Sequence, residues 1–237
     1  MARLGAAGVE FDARNELRPG EISDTGLREL RKLLDDRNLR VSAISYPTRR
    51  GYDVADDLDR RVLGTQAAMR LAANFRCEVA VIRVGRVAPE SDNVAFQRTI
   101  EALTALGVFG ERIGVRLAIQ TNDTSPPELL RLIHALPQDS TGIDLHPTSL
   151  ITAGHSPHEA VEILGPHILH VHACDAVRDI SAQSAVEVEL GRGAADFPEL
   201  LGQLTEYDYR GWVTIERRVS TNPIPEIENA VQFLRSI

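Results

Sequence analysis

The chain has 237 residues, 43% of them hydrophobic, 25% charged and 5% aromatic, with a formal net charge of −8. That length suits one large α/β domain, the apolar fraction excludes a disordered chain, and no apolar run approaches the roughly 18 residues of a membrane span. The acidic balance argues against a nucleic-acid partner, while two distant cysteines, Cys77 and Cys174, and an N-terminus without a leader-like apolar stretch point to a reduced, cytoplasmic setting.

Strand-like and helix-like runs alternate from end to end. Short apolar, β-branched segments occupy 9–12, 41–46, 79–84, 116–121, 142–146, 168–174 and 212–217. Amphipathic stretches lie between and after them at 24–37, 57–74, 93–113, 126–135, 157–164, 197–204 and 224–234. Asp24-Thr25 and Ser125-Pro126 read as helix starts. Strand starts advance by roughly 25 to 45 residues, the spacing of βα units in a parallel sheet. No GxGxxG follows any strand, which disfavours a doubly wound dinucleotide-binding sheet. The expected fold is therefore α/β, a (β/α)8-type TIM barrel lacking its first strand, as one domain over 1–237. Residues 1–5 read as the tail of the helix that would follow that strand. An open edge invites cover or self-association, so a homo-oligomer is expected.

In such a barrel, functional side chains sit at the C-terminal ends of the strands. Those ends carry Asp12, Arg49 and Arg50, Arg83, Gln120 and Asn122, His146, His170 with His172, and Glu216 with Arg217 and Arg218. Strand alternation puts His170, His172 and Cys174 on one face, and Asp144 with His146 on one face of the preceding strand. Gln120, His146, His172 and Glu216 come from successive strands about 4.8 Å apart, so all four can converge on one divalent ion. A lone histidine at a strand end is more often a satisfied polar residue than a ligand; four candidates in succession balance that odds. Cys174 reads better as a small buried residue than as a reactive thiol. Arg49-Arg50 either binds phosphate or salt-bridges a loop, and Gly191-Arg192-Gly193 reads as a loop turn.

Several motifs are familiar together. His170-Val171-His172-Ala173-Cys174-Asp175, Gly191-Arg192-Gly193 with Asp196-Phe197, and Tyr209-Arg210-Gly211-Trp212 running to Glu216 resemble the xylose isomerase-like TIM-barrel superfamily. This is the sugar-phosphate isomerase/epimerase group, to which ketose 3-epimerases and endonuclease IV also belong. The stretch from Gly5 to Asp12, Arg49-Arg50-Gly51-Tyr52, residues 116–120 and Gly154-His155-Ser156-Pro157 look like the same group.

The resemblance implies one divalent ion held by a glutamate, an aspartate, a histidine and a second glutamate. His172 and Glu216 match the last two. Gln120 stands in the first glutamate's place, His146 in the aspartate's, and Cys174 where a lysine is common. Such a set carries one formal negative charge instead of three, which suits Zn, Co, Fe or Mn with nitrogen ligands better than a hard ion such as Mg²⁺. The expected function is a metal-dependent isomerase or epimerase of a small sugar or sugar phosphate. In that expectation Gln120, His146, His172 and Glu216 hold the metal, and Glu216 with His172 carries proton transfer beside a polarised carbonyl. Arg49, His170, Asp175 and Arg218 serve substrate binding. The alternative is a degenerate barrel that binds a carbohydrate or a protein and turns nothing over. Repair of abasic DNA would need a multi-metal cluster with more ligands than this chain supplies.

Overall fold

The computed structural model describes residues 1–89, 91–179 and 184–237. Its strands are β1 (Gly8–Asp12), β2 (Arg40–Tyr46), β3 (Val79–Ile82), β4 (Arg116–Gln120), β5 (Thr141–Leu145), β6 (Ile168–Ala173), β7 (Asp175–Asp179), β8 (Ser184–Val188) and β9 (Val213–Ile215). Its helices are α1 (Asp24–Asp35), α2 (Leu58–Asn74), α3 (Asn93–Ile113), α4 (Pro126–His134), α5 (Pro147–Ala153), α6 (Pro157–Leu164), α7 (Phe197–Glu206) and α8 (Pro223–Ser236). Seven strands form one sheet in the order β1-β2-β3-β4-β5-β6-β9, every pair parallel, while β7 and β8 form an antiparallel hairpin. The sheet curls into a nearly closed TIM barrel that lacks one strand.

Strands covered on both faces must be apolar throughout, and β3, Val-Ala-Val-Ile, is buried at every position. Helices turn one stripe inward; in α1 that stripe is Leu27, Leu30 and Leu34. Ser23, one residue before the expected start, caps α1 by accepting the Gly26 N–H at 3.2 Å. At α4 the Glu128 carboxylate reaches back to the Ser125 N–H at 3.2 Å and its hydroxyl at 2.7 Å, with Pro126 opening the helix.

The two edge strands, β1 and β9, face each other across an apolar cleft of about 780 Å³ lined by Val9, Phe11, Leu17, Trp212, Ile215 and Leu234. The Trp212 indole packs against Gly8. A Cβ on Gly8 would lie 2.8 Å from the Arg40 carbonyl oxygen and 3.0 Å from the indole, so glycine is required there. The N-terminal segment is a single 3₁₀ turn, Ala2–Leu4, tied to α8 by Arg235 Nη2 donating to the Gly5 carbonyl at 2.6 Å. Two elements lie outside the sequence expectation, the short α5 and the β7–β8 hairpin, which pack on each other beside the last strands. Among the described residues no helix is long and apolar enough to cross a membrane.

Candidate active site

The barrel interior is organised around one carboxylate. Asp144 on β5 stands in register with Gln120 on β4 and His170 on β6. Alternation turns Asp144, His170 and His172 inward, where all three are buried. Asp144 Oδ1 accepts from Nδ1–H of His170 at 2.8 Å and of His172 at 2.9 Å, and Oδ2 accepts from Gln120 Nε2 at 3.0 Å. An ionised carboxylate only accepts, so each imidazole carries a proton on Nδ1. His170 Nε2 is taken up by the Thr214 hydroxyl at 2.8 Å. His172 Nε2 faces Glu10 Oε2 on β1 at 3.1 Å.

These contacts fix the charges. Burial alone would raise the Asp144 pKa, but the His172 charge and the hydrogen bonds from both imidazoles hold it far below the usual carboxylate range. Burial likewise opposes charge on His172, yet Asp144 and Glu10, one at each ring nitrogen, raise its pKa well above an ordinary imidazole's. Glu10 is also buried; attraction to His172 and His170 keeps its pKa below the usual value.

A second cluster lies at the rim. His146, just past β5, caps α5: its Nδ1 accepts the Ser149 N–H at 3.1 Å. With Nδ1 an acceptor, the proton sits on Nε2, which donates to Glu216 Oε2 at 2.6 Å. Arg218 Nε donates to the other oxygen of Glu216 at 2.9 Å. Burial would raise the Glu216 pKa, but these bonds and the positive charges around it bring it down to about 2, so the group is ionised at neutral pH. Cys174 Sγ lies 3.5 Å from His146 Nδ1. Burial disfavours an imidazolium at His146, while Cys174 and Glu216 favour one and push its pKa up to about 9. A second proton at Nδ1 would cost the Ser149 cap. The His146 and His172 rings stand 5.2 Å apart, centroid to centroid.

Between the clusters opens a cavity of about 430 Å³ lined by Glu10, Asp12, Arg83, Gln120, His172, Glu216 and Arg218. Of the residues expected from sequence, Gln120, His172, Glu216 and Arg218 share this wall, and His146 stands behind Glu216. His170 is buried beneath, held between Asp144 and Thr214. The oxygen of Gln120 is already occupied, accepting from Arg83 Nε at 2.8 Å. Arg49 lines a different cavity on the outer side of the loops. Asp175 is buried, and its carboxylate accepts four backbone N–H groups, from Ala176, Gly191, Gly193 and Ala195, at 2.8–3.1 Å. It holds the Gly191-Arg192-Gly193 turn against β7 and offers the cavity nothing. One wall residue, Glu10, was not among the strand-end candidates, and Asp12 and Arg83 were among them without an assigned role. Glu10 was the inner neighbour of Asp12 on the same strand face, and Arg83 was a charged residue directly after an apolar strand.

A family model for the xylose isomerase-like TIM barrel matches residues 1–237. The chain belongs to that family. No curated protein sequence matches it. Among solved structures, this xylose isomerase-like barrel is similar to a xylose isomerase domain protein from Planctomyces limnophilus, at 20% identity and a TM-score of 0.89 over 99% of this chain and 89% of the other. A xylose isomerase-like TIM barrel protein from Mycobacterium smegmatis, in complex with magnesium, follows at 19% identity and a TM-score of 0.81, over 98% and 84% of the two chains. A D-psicose 3-epimerase, in the presence of D-fructose, gives 17% identity and a TM-score of 0.80 over 100% and 90%. These likenesses establish the fold.

Family members use divalent metals, so the donors here must be weighed. Glu10, His170 and His172 form one group of three close donor atoms, and His146, Cys174 and Glu216 another. Glu10 Oε2 is buried and, although 3.1 Å from His172 Nε2, no N–H is aligned on it as a hydrogen bond. With Nδ1–H given to Asp144, His172 Nε2 is the nitrogen a cation would take, in place of the proton that the raised pKa keeps there. Glu10 and His172 suit zinc, cobalt or iron, and His170 joins them only by giving up its bond to Thr214. The His146 group fits less well, because His146 Nδ1 accepts the cap and Nε2 needs its proton.

Proposed function

We propose that this barrel is a proton-transfer isomerase or epimerase acting on a small sugar, free or phosphorylated. The observation that supports it is the composition of the cavity wall. Three carboxylates, Glu10, Asp12 and Glu216, and two guanidiniums, Arg83 and Arg218, face one space of monosaccharide size at the C-terminal ends of the strands. The family and its epimerase neighbours support the same class of substrate.

In this mechanism Glu216 removes the proton from the carbon next to the substrate carbonyl. Its deep acidity makes it a weak base, so the oxyanion that develops must be strongly stabilised. Arg83 and Arg218 supply fixed positive charge for that oxygen and for neighbouring hydroxyls. His146, anchored by α5, holds the Glu216 carboxylate in place. Return of the proton by Glu216 to the adjacent carbon, with the hydroxyl proton passing from one substrate oxygen to the other, gives isomerisation. Epimerisation requires delivery to the other face, where Glu10, on the opposite edge strand, would first take a proton from the His172 imidazolium it faces and then pass it to the substrate carbon, while Glu216 keeps the proton it removed. A divalent ion, of the Zn, Co, Fe or Mn kind, would be held by Glu10, His172 and His170 in preference to the set Gln120, His146, His172 and Glu216. When bound, it would supply polarisation of the substrate carbonyl. The same proposal includes a cytoplasmic setting and self-association over the open β1–β9 side.

Deuterium wash-in from solvent into a panel of ketoses and ketose phosphates tests the catalytic claim. Wash-in at a substrate C–H is the expected outcome; saturable binding by calorimetry with no exchange would establish the second reading, a carbohydrate-binding barrel. That reading has one observation in its favour, the Gln120 amide locked between Arg83 and Asp144 where the family places a carboxylate.

A further inference from the structure

Outside the barrel wall, between the loops after β1 and β2 and the first turns of α2, lies a cavity of about 600 Å³ that proton transfer does not use. Six arginines line it, Arg14, Arg18, Arg49, Arg50, Arg60 and Arg61, against two carboxylates, Glu21 and Asp57. In a chain with a net charge of −8, this is a concentrated reversal of sign.

The guanidiniums fall into two sets. Four are held by the protein itself. Arg14 donates to the Pro47 carbonyl at 3.1 Å and lies over the Tyr46 ring, and Arg18 pairs with Glu21 at 3.1 Å. Arg50 pairs with Asp56 at 3.4 Å, and Arg61 donates to the Val54 and Asp56 carbonyls. These bonds fix the groups while leaving N–H donors over, and Arg61 Nε is buried with no acceptor. Arg49 and Arg60 are exposed and make no hydrogen bond or ion pair among the described residues. The floor is rigid, because α2 packs so closely that a Cβ on Gly64 would lie 2.2 Å from the Tyr46 hydroxyl. Asp57 precedes α2 without a side-chain cap, so the positive end of a 17-residue helix opens on the same space.

We propose that this cavity is a second small-molecule site, for a phosphate ester or diphosphate. Preset guanidinium forks match phosphate oxygens two at a time, and a helix N-terminus adds N–H donors. Arg49 and Arg60 close on the anion as the mobile pair. The volume exceeds one phosphate group, leaving room for the organic part of the molecule beside Tyr46. The site stands back to back with the reaction cavity. Asp12, which lines that cavity, accepts the backbone N–H of Arg14 at 2.7 Å, so the two cavities share the loop after β1.

Titration calorimetry of the full chain with pyrophosphate, in about 0.1 M NaCl to screen nonspecific attraction, tests the proposal. The expected result is saturable binding that weakens by at least about tenfold in the Arg49→Ser/Arg60→Ser double variant and is unchanged in Arg218→Ser. Both substituted residues are exposed and unbonded, and an unchanged thermal midpoint verifies folding. No saturable binding, equal affinity in the double variant, or loss of binding in Arg218→Ser alone would overturn the site. Citrate bound as tightly as pyrophosphate would overturn its assignment to phosphate.

Discussion

Asp144 in the interior and Glu216 at the rim are both carboxylates bonded to imidazole, and they differ in what surrounds them. Asp144 is fully enclosed, every one of its close contacts is a donor, and both imidazoles it holds are themselves secured. Glu216 keeps about a quarter of its side chain exposed, and the space before it is open. The same pairing therefore does structural work in one place and can do chemistry in the other. Burial without a cavity fixes geometry; partial exposure beside a cavity leaves a group able to meet a substrate.

The comparison can be broken most readily at its buried side. Asp144→Ala removes the acceptor from three donors and leaves a charged imidazole without its main partner, so we expect a loss of about 3–5 kcal/mol in urea unfolding. A loss below about 1 kcal/mol would mean the interior network is not structural. Asp175→Ala strips the acceptor from four backbone N–H groups without exposing a charge, and a smaller loss of about 1–3 kcal/mol is expected by the same measurement. A larger loss than that of Asp144→Ala would invert the ranking. Glu216→Gln preserves shape and one acceptor oxygen but loses the charge between His146 and Arg218, and a loss of about 1–2 kcal/mol in unfolding free energy is expected. A greater fall would make the rim carboxylate structural as well.

Acidity sharpens the contrast. Asp144 and Glu216 have depressed pKa values in the folded state, so the stability they contribute is present above the ordinary carboxylate pKa of about 4 and is lost as pH falls below it. For Glu216 that loss is complete near its folded value of about 2. His172 is shifted the other way: its contribution is present below about pH 6.5 and is lost as pH rises through the elevated folded pKa. Unfolding midpoints measured against pH are expected to show a broad maximum between these limits. Glu216→Gln removes one of the groups that push the His146 pKa up to about 9, so it is expected to flatten the alkaline limb near that pH; a limb unaltered by the substitution would mean that this pair carries no stability there.

Much of the architecture was legible because parallel strands covered on both faces are written as largely apolar runs: β3 is wholly apolar, and the other six barrel strands set polar residues into an otherwise apolar run. The hairpin was not legible, since Arg178, Asp179 and Glu187 interrupt its pattern on an exposed ribbon. Nor was α5, a seven-residue helix capped by His146, a residue read as a site candidate and not as a cap. Within the site, alternation correctly put Asp144, His170 and His172 on the inner face. Partners distant in sequence were the part that could not be read. The Gln120 oxygen is claimed by Arg83, 37 residues away, and Asp175 is claimed by N–H groups up to 20 residues further on. Glu10 was concealed between Val9 and Phe11, where a buried carboxylate makes sense only once His172 is known to face it.

The direct test of the central claim is solvent deuterium exchange into a ketose that the wild-type protein binds, compared with Glu216→Gln at equal folded fraction. A carboxylate that carries the proton predicts exchange by the wild type and a fall of about 10²–10⁴-fold in the variant. Undiminished exchange in a well-folded Glu216→Gln protein would place the base elsewhere on the wall and contradict the account.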